Sequence, residues 1–453
     1  MRGRNMSISK VSSMQERIID KLNQSEDIVS KKLQTEENYI EVLYIKTISN
    51  ETVLYENLII PFFDIRSPER FLAFLQSYPK IKPFKSEEQA INDLLTGITV
   101  LFYQHSIYLF DNKADLSKSG NDTKVETSIQ GPQIGFTESI STNLGLIRNR
   151  YPKPSLSIES TSVGEISKTK VVIIYDPAFS DNEVVRRVKK FLSGIEVPIF
   201  QSGEQLLNYI KKNNKALIPL MLVTERPDRV AVNLAGGKVI LLISGSPFAV
   251  ILPTVMKDFM ASMEDSYQTY WVACFLQILR YIGFAISLLL PGAYVVVTSY
   301  NPELVRIQLA LSIAGSRAEV PYPTFVEVLL MLIMMELLTE ASIRLPKAIG
   351  PTATTVGGLI LGQAATQAGL VSDIMIIIVS AVAISNFVVP VNTFSFSVRI
   401  VKYIILALST FFGLIGLVIG FFMFIAYLVK QDSFGQPFLT FIQNKPMNNK
   451  SEK

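Results

Sequence analysis

Three carboxylates, Glu327, Glu336 and Glu340, interrupt the apolar run Thr324–Ala341 (TFVEVLLMLIMMELLTEA). Hydrocarbon solvates no charge, so each would need water or a charged partner there. Glu336 and Glu340 share a helix face, whereas Glu327 faces nearly the opposite way. A carboxylate pair on one face lines a cation pathway, or it neutralises Arg344 and a neighbour such as Arg317. If the segment lies shallowly at a membrane surface, neither account is required. Arg280 is the one charge in Phe275–Thr298 (FLQILRYIGFAISLLLPGAYVVVT). It stands about a turn inside and can snorkel to the interface.

Other chemistries lack their parts. The chain has one cysteine, Cys274, and one histidine, His105. A disulfide framework, a Cys/His zinc site and a Cys–His nucleophile all need partners that are absent or present only singly. His105, in the β-type run Ile98–Phe110, reads as a partly buried strand residue, and Cys274 as a small packing residue. No phosphate-binding glycine loop, dinucleotide fingerprint or HExxH occurs, so an enzyme is not expected, nor a metal or cofactor. The net charge of +4 is spread along the chain without a basic block, which argues against a nucleic-acid partner.

The elements around these residues divide the chain into unlike halves, which the averages of 49% hydrophobic and 18% charged residues conceal. The expected fold class is an α/β cytoplasmic N-terminal domain in two subdomains, followed by an all-α multi-span membrane domain. Residues 1–36 form a tail and amphipathic helix, its apolar positions falling in Ser13–Leu33. Residues 37–128 hold the first subdomain: strands Tyr39–Ile48 and Val53–Ile60, helices Pro68–Tyr78 and Ser86–Leu95, a hairpin at Ile98–Phe110 and a polar linker, Asp111–Ser128. Residues 129–250 hold the second. There, helix Thr137–Arg150, strand Lys170–Tyr175 and helix Asp181–Ser193 suggest a parallel βαβ unit. A helix at Glu204–Lys212 leads to a short strand, Met221–Val223. Ala231–Leu234 and Val239–Ile243 then suggest a hairpin. Asp176 and Asp181 either mark a ligand cleft at a strand end or cap the turn and helix.

Residues 251–430 are the membrane part and 431–453 a polar tail. Phe275–Thr298, Thr324–Ala341, Pro351–Val371, Ile374–Pro390 and Tyr403–Val429 are each of spanning or near-spanning length. Pro291-Gly292 should bend the first, and Leu304–Ile313 should lie along the interface. With no apolar leader in front, the N-terminal half should stay in the cytoplasm. Five spans would put Lys430 and the tail lysines outside, against the positive-inside tendency. Four full spans fit better, with the segment around Glu336 re-entrant or interfacial. Pro351–Gly369 (PTATTVGGLILGQAATQAG) is rich in small and weakly polar residues. Thr355, Leu359, Gly362 and Thr366 share one face with Gln363 beside them, which suits either close helix packing or the wall of a pore in an oligomer. In the pore reading Leu359 is the constriction, gating by dewetting.

Eight blocks resemble the A subunit of bacterial spore germinant receptors, the GerA family: GPQIGFTESISTNLGLIRNR (Gly131–Arg150), TERPDRV (Thr224–Val230), SPFAVILP (Ser246–Pro253), RYIGFAISLLLPGAY (Arg280–Tyr294), EVPYP (Glu319–Pro323), RLPKAIG (Arg344–Gly350), GGLILGQAATQAG (Gly357–Gly369) and SFGQPFL (Ser433–Leu439). The resemblance implies a nutrient-sensor subunit in the spore inner membrane, with its N-terminal domain on the core side. It implies a transporter-like B subunit that holds the germinant and a lipoprotein C subunit as partners, membrane lipid around the helices, and a homo-oligomeric ring, a pentamer, that conducts ions. Two alternatives stay open: a non-conducting scaffold that relays a signal, and the related protein that accompanies the dipicolinic-acid channel of spores.

Overall fold

Alternating apolar residues in the first 111 positions build a five-stranded antiparallel sheet in the computed structural model. The structure describes residues 14–440 except 24, 105, 117–119, 127, 204, 207–208, 210–215 and 347–348. His105 and most of the helix expected at Glu204–Lys212 therefore lie outside the described residues. The strand order is Ile28–Gln34, Tyr39–Ile45, Ile98–Tyr103, Ser106–Asp111, Ile81–Pro83. Period-two alternation sends Leu43, Ile45, Val100 and Phe102 to one face, against Ile91 and Leu94. Val42, Tyr44, Leu101 and Tyr103 go to the other, against Leu58, Phe62 and Phe71.

Two expectations fail in this unit. Val53–Ile60 is helical, within Glu51–Leu54, Tyr55–Ile59 and Ile60–Asp64. Asn50 caps its start by accepting from the Val53 N–H, and Leu54, Leu58 and Phe62 recur every fourth residue on the buried side. The amphipathic helix expected over Ser13–Leu33 covers only residues 14–21 of the described part. Ile28–Gln34 pairs instead with Tyr39–Ile45 as an edge strand, so a long-range ladder overrides local periodicity.

The second sheet is also wholly antiparallel, in the order Leu222–Thr224, Ala249–Leu252, Val239–Ile243, Thr169–Tyr175, Ser157–Val163. The expected parallel βαβ unit does not form, because Thr169–Tyr175 pairs with Val239–Ile243 and Ser157–Val163 rather than with the strand that follows its helix. Ala231–Leu234 is no strand but part of helix Pro227–Ala235. Gly237 ends it at φ +80, where an added Cβ would lie 2.3 Å from the Phe179 carbonyl oxygen. Asp181 caps helix Asn182–Ser193, and Asp176 accepts from the Tyr151 hydroxyl at 2.6 Å and the Ala178 N–H at 3.0 Å. Both aspartates are thus in capping and turn roles. The sheets are clamped by Arg148, which donates to Asp27 at 3.0 and 2.8 Å with both side chains nearly inaccessible.

The C-terminal region is helical: Tyr270–Ser299 (the first apolar helix), Ile307–Ser316, Thr324–Arg344 (the acidic helix), Gly350–Gln367 (the small-residue helix), Asp373–Val388 and Asn392–Lys430. Tyr270–Ser299 and Asn392–Lys430 are long and apolar enough to cross a membrane. The first continues as one helix through Pro291 and Gly292. An added Cβ on Gly292 would come within 2.7 Å of Ser409 Oγ, so this stretch is locked by close packing against the last helix.

The last helix breaks at Gly413, where φ 59 and ψ −137 leave the helical region. Ser397 Oγ donates to the Leu217 carbonyl at 2.8 Å, and the Leu217 N–H donates to the Tyr427 hydroxyl at 2.7 Å. Residues 397 and 427 of a straight helix would be roughly 45 Å apart, so one residue could not bond both. Asn392–Lys430 is therefore a helical hairpin, and the single span expected at Tyr403–Val429 is corrected to parts of its two arms. Both its ends return to the second unit, and just beyond its C-terminal end the Met256 N–H, at the start of helix Met256–Met260, donates to the Phe438 carbonyl at 2.8 Å. Phe259, Phe284, Phe394, Phe424 and Phe438 make one core with the sheet face of Ile174, Ile240 and Ile251.

Candidate functional site

Every carboxylate of the acidic helix has a cation partner. Glu327 is fully buried; it accepts from Ser372 through the backbone N–H at 2.7 Å and the hydroxyl at 2.6 Å, and from Arg317 at 3.2 Å. Glu336 accepts from Arg399 at 3.1 Å and Lys402 at 3.3 Å. Glu340 takes Arg344 one turn on, at 2.8 Å, with both side chains exposed. The shared row of Glu336 and Glu340 is thus no site of two facing acids. Arg317 neutralises Glu327, not the later pair. Arg399 and Lys402 lie just before the apolar segment Tyr403–Val429 and so outside the residues that composition singles out. Their three-residue spacing near a helix start was the available signal.

The small-residue helix is seated from one side. Gly357 packs toward Leu338 of the acidic helix, 3.3 Å from where a Cβ would stand. Thr355, Leu359 and Gln363 are exposed, Leu359 by 61%. Gly362 is buried, with Ile376 3.8 Å from its Cβ position, and Thr366 is half-buried with its hydroxyl on the Gln363 carbonyl at 3.0 Å. The four residues expected on one face, with Gln363 beside them, therefore divide. The middle of the helix is open, and its end is closed by the helix Asp373–Val388.

A third set of groups, at the foot of the first apolar helix, went unrecognised as a unit. Arg226 and Asp228 of the TERPDRV block form a buried bidentate pair at 3.1 and 2.7 Å, and the Tyr267 hydroxyl donates to Asp228 at 2.7 Å. Arg229 reaches Glu126 at 2.9 Å and the Asp258 carbonyl at 2.8 Å. Glu264 accepts from Ser128 at 2.6 Å. Arg280, expected to snorkel, binds the Asp265 carboxylate with two nitrogens. The first apolar helix is thereby tied to the segment joining the two sheets. Charge-assisted bonds of this kind hold orientation.

Burial alone would raise the Asp228 carboxyl, but Arg226 and Tyr267 outweigh it and hold it below the ordinary value. Burial pushes the Lys238 ammonium down despite Asp258 at 2.7 Å. Because the folded carboxyl titrates below the unfolded one, the stability that Asp228 contributes is present above roughly pH 4 and is lost as pH falls through the lower folded value. Asp228→Asn should cost about 3 kcal/mol at neutral pH by stranding Arg226. The gap to wild type should close below roughly pH 4 in acid unfolding followed by circular dichroism. A gap independent of pH would refute this assignment.

The Bacillus/Clostridium GerA spore germination protein family matches residues 16–452. Spore germination protein KA of Bacillus subtilis (strain 168) is 33% identical over 430 residues, covering 92% of this chain and 78% of that protein. Spore germination protein A1 of the same organism is 30% identical over 431 residues, covering 93% and 89%. The uncharacterized membrane protein YfkQ, also from Bacillus subtilis (strain 168), is 31% identical over 406 residues, covering 88% and 79%. Among solved structures, the N-terminal domain of the A subunit of the Bacillus megaterium spore germinant receptor GerK3 aligns with 52% of this chain and 91% of its own, at 23% identity and a TM-score of 0.40.

Proposed function

This chain belongs to the GerA family of spore germination proteins, and we propose that it is the A subunit of a nutrient germinant receptor whose copies surround an axis and form a ligand-gated cation channel. The observation that carries the proposal is the small-residue helix, packed on the acidic helix while Thr355, Leu359 and Gln363 stay exposed. Threonine and glutamine gain little from lipid, and a neighbouring copy or a water-filled lumen suits them better. A transporter-like B subunit and a lipoprotein C subunit complete the receptor in the spore inner membrane, and the copies of this chain form a pentamer.

Six crossings suit the helices: the first apolar helix, the acidic helix, the small-residue helix, Asp373–Val388 and the two hairpin arms. The arms run about 30 and 25 Å. An even number returns the C-terminus to the side of the sheets, which Phe438 against the second-sheet core supports. It also puts Lys430 with the N-terminal units on the core side. In a Cys274→Ser background, Thr440→Cys and Ile166→Cys should react with an impermeant maleimide from the same face of sealed vesicles. Labelling from opposite faces would refute the topology.

The conducting role is tested by reconstituting the assembly with B and C subunits in liposomes. Germinant-dependent cation flux is expected, with fivefold symmetry and a central hole in particle images. One observation favours a second reading, a non-conducting relay: all three acidic-helix carboxylates are paired and none is offered to a passing cation. Intact symmetric assemblies that never pass current would select it.

A further inference from the structure

Resting on the placement of the small-residue helix above, we propose that Glu336 is the positioning residue that sets this helix relative to the soluble units. The acidic helix is held in two different ways along its length. Val328, Met331 and Leu332 are buried in a core with Val295, Met375 and Val379. Beyond Leu332, none of its described side chains is buried. That second half is the part that leads through residues 345–349 into the small-residue helix and carries Leu338, the contact of Gly357.

Glu336 is the polar tie of this half to the hairpin. Lys402, 1% exposed, and Arg399, which lies over the Phe396 ring, both bind it. Besides the two cations, Thr339 on the same helix and Asn386 on Asp373–Val388 are polar groups lining this point; Asn386 is engaged by the Ser287 hydroxyl. The arm that carries both cations also carries Ser397, whose hydroxyl is fixed on Leu217 of the second unit. A continuous line thus runs from Leu217 through Ser397 and the Arg399–Lys402 pair to Glu336, then along the acidic helix to the small-residue helix. Apolar contacts between helices gain no hydrophobic free energy in lipid, so a charge-assisted bond at the loosely packed end governs its position.

Hydrogen exchange on the full-length protein in lipid nanodiscs tests this directly. Glu336→Gln should raise exchange over residues 333–367 about tenfold while leaving both sheets unchanged. Glu336→Asp, and the swap Glu336→Lys with Lys402→Glu, should restore protection. Exchange in Glu336→Gln within twofold of wild type, or a swap no better than Glu336→Lys alone, would overturn the proposal. Germinant-dependent cation flux from the same variants, reconstituted with B and C subunits in liposomes, separates the two ideas. Raised exchange without flux in any sample upholds the positioning role and rejects the channel.

Discussion

Leu359→Ala should let ions cross resting membranes in the absence of any germinant. Leu359 is 61% exposed at the middle of the small-residue helix, with Thr355 and Gln363 beside it. If copies meet around an axis, this side chain is the bulkiest apolar group facing the lumen on that face, and a ring of leucines excludes water from the narrowest point. Removing three carbons per copy lowers the dewetting tendency by roughly 2 kcal/mol each, at about 0.8 kcal/mol per methylene. Even one copy's share corresponds to a shift of more than about tenfold between dry and wetted states. Leu359→Ser should leak more still, because it adds a hydroxyl. The measurement is passive efflux of a monovalent cation from liposomes, or ion retention in resting spores, with protein amounts matched. Retention equal to wild type for both variants would remove Leu359 from the gate.

The second large effect concerns the hairpin itself. An added Cβ on Gly416 would sit 2.0 Å from the Leu408 carbonyl oxygen and 2.6 Å from its carbon, a collision with backbone that no rotamer relieves. Gly413 adopts φ 59 with ψ −137, a region open essentially to glycine alone, and its Cβ position lies 3.1 Å from the Tyr300 ring. Gly416→Val should force the arms apart at the turn, with overpacking alone costing about 1–3 kcal/mol and the backbone clash adding to it. The expected result is severalfold less protein in the membrane fraction and loss of the Ser397 and Tyr427 bonds to Leu217. Gly315→Val, with no atom within 4 Å of its Cβ position, serves as the control. Equal accumulation of the two variants would show that the arms do not pack as an antiparallel pair.

The two predictions concern residues with different visibility in the sequence. Leu359 stands out in the sequence because a helical stretch poor in bulky aliphatics and dotted with threonine and glutamine is unusual for a lipid-facing segment, and its role as a constriction is part of the proposal. Gly413 was not, since FFGLIGLVIGFF reads as one uninterrupted apolar helix and the turn depends on two arms packing against each other. The charged residues follow the same division. That Glu327, Glu336 and Glu340 need partners follows from composition and depth alone. Which cations supply them depends on helices that lie up to 66 residues apart in the chain.

Local pattern, residue type and the order of the eight blocks determined the broad division of this chain, its family and the residues that hydrocarbon would penalise, because these depend on side chains and their near neighbours. The tertiary structure alone decided the antiparallel pairing of the second sheet, the helical state of Val53–Ile60, the return of the hairpin to Leu217 and the buried Arg226–Asp228 joint. The sheet pairing and the return to Leu217 join partners far apart in the chain, which no window of sequence holds together; the Val53–Ile60 helix and the Arg226–Asp228 pair are local in sequence, but their burial against distant elements is set only on folding.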